Sequence, residues 1–131
     1  MAFIQQSGGI SYFQDTVTIT SGALPASASN IAVPSLTYTI TEAGNYVIFS
    51  MISVDIGGQD AKPFGVMLYK NGVLIPNSLT VDFAKKNEGQ SIQLTYPIDG
   101  LIIGDVIAVY ANNDNIVSTV LLGRMLIQKW A

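Results

Sequence analysis

Residues 89–130 read GQSIQLTYPIDGLIIGDVIAVYANNDNIVSTVLLGRMLIQKW. Three apolar runs of strand length, 92–98, 105–111 and 117–127, are punctuated by Asp99-Gly100, Gly104-Asp105 and the polar run 111–115. Apolar runs of this length bounded by turn residues read as strands. The closing Leu-Ile-Gln-Lys-Trp-Ala is too apolar for a free tail, so the end of the chain is expected inside a sheet. The segment is therefore expected to form the inner wall of a self-associating β-sandwich. Residues 105–111 and 117–127 are expected to share the sheet that carries the subunit contacts.

The remaining chain has the same character. Residues 16–20 (TVTIT), 36–40 (LTYTI) and 78–84 (SLTVDFA) alternate apolar and polar side chains, as half-buried strands do. Residues 21–30 read as a loop. Asn71-Gly72 between 64–70 and 73–75 is a strong two-residue hairpin signal, because both central positions need positive φ. No segment of ten or more residues shows a capped helical period. Eight to ten short strands with turns between them point to an all-β sandwich or jelly roll. The expected organisation is an N-terminal arm, 1–15, and one domain, 16–131.

Residues 46–56 (YVIFSMISVDI) carry a second message. The even positions Tyr46, Ile48, Ile52, Val54 and Ile56 are apolar, but so are Val47, Phe49 and Met51. A strand apolar on both sides is buried on both sides. In a two-layer sandwich one side meets the opposite sheet, and the other then needs a second subunit.

Composition agrees with that expectation. The 131-residue chain is 49% hydrophobic and only 11% charged, against about 25% in ordinary soluble domains. The net charge of −3 and scattered basic residues argue against nucleic-acid binding. With no cysteine and no histidine, disulfides, thiolate chemistry and His-based catalysis or ligation are excluded. No run reaches the roughly 18 apolar residues of a membrane-spanning helix. The N-terminus lacks the features of a signal peptide, so synthesis in the cytosol is expected, with any later location reached by assembly or lysis.

From Gly44 onward the order of motifs resembles the jelly-roll superfamily of tumour necrosis factor and the complement globular heads, in particular its bacterial and phage members. The carrying residues are Gly44-Asn45-Tyr46-Val47-Ile48, Val66-Met67-Leu68-Tyr69-Lys70-Asn71-Gly72 and Ile92-Gln93-Leu94. They continue with Leu101-Ile102-Ile103-Gly104-Asp105-Val106-Ile107 and Leu122-Gly123-Arg124-Met125-Leu126-Ile127. Leu122 departs from the pattern, standing where the superfamily usually has an aromatic residue. The resemblance implies a jelly roll of about ten strands that assembles as a compact homotrimer around a hydrophobic axis, and it implies no particular ligand.

Candidate sites follow from residue chemistry. Nearly all nine acids lie in or beside turns, where Asp serves backbone hydrogen bonding, so no catalytic residue and no cofactor is expected. Calcium takes six to eight oxygens; Asp55 with Asp60, or Asp114 between Asn113 and Asn115, are the weak candidates, each short of a full ligand set. Tyr suits interfaces because an apolar body carries a polar tip, so Tyr46 and Tyr110 are assigned to the trimer interface. Trp130 is expected either to plug the base of the barrel or to pack on a neighbour. Gln59 and Asp60 in loop 57–63, and Asn112 and Asn113 in loop 111–115, are the ligand-loop candidates. The expected function is a non-enzymatic homotrimeric structural protein of a phage or viral particle, of the capsid-decoration, head-fibre or fibre-knob type, anchored through its arm. The alternative is a receptor- or glycan-binding head.

Overall fold

The structure, a computed structural model, describes residues 13–131, with their side chains from Ser21 onward. The strands are β1 (Phe13–Leu24), β2 (Ile31–Thr39), β3 (Gly44–Asp55), β4 (Lys62–Lys70), β5 (Val73–Leu74), β6 (Thr80–Ala84), β7 (Gln90–Leu101), β8 (Val106–Asn112) and β9 (Ser118–Lys129). No helix is present among the described residues. A four-stranded sheet has the order β1-β9-β3-β7, and a second sheet the order β2-β8-β4-β5, with β6 also paired to β4. Every pairing is antiparallel. The chain changes sheet at most of its connections, and that alternation is the jelly roll.

Period-two alternation builds the core. The even positions of β3 face inward: Tyr46, Ile48, Ile52 and Val54 are all fully buried. Met125 and Ile127 of β9 and Ile92 and Leu94 of β7 join them on the same inner face. Opposite lie Val33 and Leu36 of β2, Phe64, Val66 and Leu68 of β4, and Ile107, Val109 and Ala111 of β8.

Two strands are longer than their alternation suggests. β1 begins at Phe13, inside the expected arm, and runs to Leu24, inside the expected loop 21–30; pairing with β9 holds Gly22 against Val120 and Leu24 against Ser118 across a bulge. Arm residues 1–12 lie outside the described residues. β2 also begins early, at Ile31, and passes through Pro34 by a register shift between Ala32 and Thr37, with Ser35 at φ 68°. Proline is tolerated there because β2 is an edge strand.

The expected common sheet for residues 105–111 and 117–127 is not what forms. β8 lies in the second sheet and β9 in the four-stranded one. The run between them crosses the end of the sandwich rather than reversing as a hairpin. Asp114 and Asn115 take φ of 52° and 61°, and buried Asn113 donates to the Pro25 carbonyl at 2.8 Å and accepts from the Ser27 amide at 3.2 Å.

Strand direction sorts the connections into two ends. At one end lie the loops 25–30, 56–61, 85–89 and 113–117. At the other lie the turns at 40–43, 71–72 and 102–105, together with the start of β1 and the end of β9. The segment ahead of Phe13 therefore joins the sheet at the second end, away from the loop cluster.

Candidate functional site

The outward side of the four-stranded sheet carries a row of apolar side chains. It arises because β3 is apolar at both parities. With the even positions inward, Val47, Phe49 and Met51 point out, and Phe49 is left 37% exposed. Antiparallel register sets the neighbours: Phe49 pairs with Leu126 of β9 and Thr95 of β7, Met51 with Arg124 and Gln93, and Val47 with Gln128 and Pro97. Leu126 in turn pairs with Val17 of β1. Beyond them Leu121 and Leu122 are 49% and 37% exposed, at an irregularity where β9 shifts register against Ser53 and Val54. A shallow concavity of about 300 Å³ opens between Phe49, Met51, Gln93, Thr95, Arg124 and Leu126.

The interface candidates do not meet on this face. Tyr46 is wholly buried between the sheets, and its hydroxyl donates to the Glu42 carbonyl at 2.6 Å. It is a core residue with no surface to offer a neighbour. Tyr110 points outward from the second sheet and stacks on Tyr69, with ring centroids 3.7 Å apart and planes 14° off parallel. Trp130 remains 43% exposed just past β9, its amide bonded to the Asn45 carbonyl at 2.9 Å, so its ring does not plug the base. The surface that does gather is Phe49, Met51 and Leu126. Its signal was the odd-position apolar set of β3; the aromatic count pointed elsewhere.

The ligand-loop candidates share one end of the sandwich but differ in availability. Gln59 and Asp60 are exposed. Asn113 is spent on tying loop 113–117 to loop 25–30. Asn112 donates to the Asn30 side-chain oxygen at 3.0 Å, and Asn30 donates to the Tyr69 hydroxyl at 2.9 Å. Asn30 and Asn112 rim a groove of about 170 Å³ over Gly65, walled by Leu74, Leu79 and Val81. Leu79, Val81 and Phe83, the apolar side of the β6 run, are 54%, 50% and 56% exposed on this outer surface, while Ser78 and Ala84 are the buried positions.

The calcium candidates are dispersed in role. The Asp55 carboxylate accepts from the Gly57 amide at 2.6 Å, closing the turn after β3. Among the described residues no three acidic, His or Cys side chains are grouped as a metal site, so Asp55, Asp60 and Asp114 do not form one set.

Gly104 takes φ 97°, and Asp105 turns the chain into β8. The Asp105 carboxylate accepts from the Ile102 amide at 3.0 Å and from the Asn71 side chain at 2.9 Å. Asn71 in turn accepts from the Val106 amide at 2.8 Å. The Ile102 amide, then Asn71, holds the Asp105 carboxyl below its usual range. This is a structural carboxylate joining two turns.

No protein-family model matches the sequence, and no curated protein matches it. Among solved structures, Eiger TNF from S. frugiperda superposes with a TM-score of 0.57 at 10% identity, over 87% of this chain and 94% of that one. The globular domain of zebrafish complement 1qA protein gives 0.49 at 11% identity, over 82% and 94%. A protein of the disulfide-linked pili of Bacillus endospore appendages gives 0.45 at 13%, over 99% and 97%. At such identities the likeness is one of architecture: the chain has the jelly-roll fold of the tumour necrosis factor domains.

Proposed function

We propose that the chain is a non-enzymatic structural protein that works as a homotrimer, with the outward side of its four-stranded sheet as the contact between copies. The observation that carries this reading is the apolar group formed by Phe49 and Met51, on a strand apolar at both parities, with Leu126 of the neighbouring β9. Complete burial of such a side chain is worth about 1.5–3 kcal/mol, and the three recur together in every copy. Trp130 and the Tyr69–Tyr110 stack each stand apart, so they offer less. The low charged fraction and the trimer implied by the resemblance point the same way.

The larger assembly we assign is a phage or viral particle, reached from the cytosol and held by the N-terminal arm. Geometry supports the anchoring end alone: β1 begins at the end carrying Ile102 and Ile103, 62% and 70% exposed, which leaves the opposite loops outward. Phe49→Asp tests the contact face: gel filtration should show dissociation to monomer with an unchanged far-ultraviolet spectrum, whereas Tyr110→Ser leaves the assembly intact. The reverse pattern would move the contact to the second sheet.

A second reading, a receptor- or glycan-binding head, is favoured by the groove over Gly65. Its rim amides sit beside the stacked tyrosines, and amides with aromatic faces suit sugar hydroxyls and rings. Glycan-array screening separates the two readings, because a scaffold binds nothing there.

A further inference from the structure

The middle of the apolar face carries a positive charge. Arg124 is exposed between buried Gly123 and Met125, so it points away from the core, beside its register partner Met51. Among the described residues the one ion pair is Lys129 with Glu42, and the Arg124 guanidinium has neither a salt bridge nor a side-chain hydrogen bond there. A guanidinium stays protonated at any accessible pH, and burying it without a negative partner is strongly unfavourable. Closing copies over this face therefore requires a counter-charge beside Arg124.

Symmetry restricts where that charge comes from. A rotation axis keeps every residue at its own height. The apolar rows run along β3, so a three-fold that buries them along their length in every copy runs beside the strands. The height of Arg124 is shared by Met51, Gln93 and, through backbone pairing, Ile19. The flanking rows hold Leu126, Phe49 and Thr95 on one side and Leu122, Ser53 and Ser91 on the other. None is acidic. Among the described side chains of this face, the outward acids of β3 and β7 stand at its two ends. Asp55 lies two outward positions beyond Met51 and Asp99 three beyond Gln93, about 13 and 20 Å away at the rise of a strand. Other copies related by the axis repeat these heights and bring neither acid to Arg124.

We infer that the assembled face encloses an anion site in which Arg124 of adjoining copies holds a tetrahedral oxyanion of the phosphate or sulfate type. The concavity beside Arg124 supplies the space, and Gln93 and Thr95 supply further donors on its wall. Guanidinium and oxyanion match in geometry, since the planar fork donates two parallel hydrogen bonds. Phe49, Met51 and Leu126 exclude water around the pair.

The inference rests on the self-association reading, and sedimentation of the full chain distinguishes the two. At constant ionic strength, chloride is exchanged for sulfate or phosphate, and the protein concentration at half-assembly is read for the natural chain and for Arg124→Leu. One anion bound only by the trimer, at ten times its Kd, raises the assembly constant about tenfold. The protein concentration at half-assembly varies as the inverse square root of a monomer–trimer constant, so it falls about threefold. That shift is expected for the natural chain, while Arg124→Leu should assemble in chloride alone and show no anion response. A general salting effect of sulfate would act equally on both chains, so an equal response overturns the inference. A natural assembly indifferent to anions, or an Arg124→Leu chain that fails to assemble, also overturns it while leaving the trimer standing. A natural chain that stays monomeric in every anion contradicts the self-association reading itself.

Discussion

At the residue scale, Asp105 shows how one side chain joins two turns. Its two oxygens accept from the Ile102 amide and from Asn71, whose own oxygen caps the first amide of β8. Both bonds favour the charged carboxylate, so the folded-state pKa lies below the unfolded value of about 3.9. The stabilisation is therefore complete above that value and is lost as pH falls through the lower folded value. Asp105→Asn would set an amide donor against one of the two donors it faces. Thermal unfolding should show a lower Tm for Asp105→Asn at neutral pH, with the gap narrowing as pH falls below the carboxylate range. A gap independent of pH would mean that the charge is not what matters. That Asp105 bonds to a nearby amide was readable from Gly104-Asp105, because turn chemistry is local. Its bond to Asn71, from a hairpin distant in sequence, was not, since nothing local specifies which two turns meet.

At the scale of elements, the same division holds. Asn71 and Gly72 adopt φ of 52° and 81° and pair Lys70 with Val73, as the dipeptide predicts. The placement of β8 and β9 in different sheets escaped the sequence, because alternation tells which side chains share a face but not which sheet the strand joins. Tyr46 shows the ambiguity at its sharpest: with both parities of β3 apolar, only the partner strands decide which set turns inward. The end of β9 is held by contacts of similar subtlety. The Asn45 amide donates to the Ala131 carbonyl at 2.6 Å, and a Cβ on Gly44 would come within 2.5 Å of that same oxygen and 2.6 Å of Lys129 Cε. Gly44→Ala should therefore dislodge the last residues from β3, read as faster amide exchange at Asn45 and Trp130 and a lower Tm. Unchanged protection there would show that the chain end yields without cost.

For the whole molecule, the two sheets divide their labour. Both bury an inner side in one core, and their outer sides differ. The second sheet covers part of its outer side with its own chain, where Met67 is only 2% exposed beside Leu79 and the tyrosines stack on each other. The four-stranded sheet covers its middle rows with nothing from the described residues, leaving Phe49 and Leu126 around Arg124. The need for a partner on one side of β3 was legible from Val47, Phe49 and Met51. The charge at its centre was not, because only the register between β3 and β9 brings Arg124 to Met51. The central claim is that this face closes on further copies of the chain. Sedimentation equilibrium of the natural chain at micromolar concentration tests it most directly: the account predicts a single species near 42 kDa, three times the 14.0 kDa subunit, and a species at 14.0 kDa would contradict it.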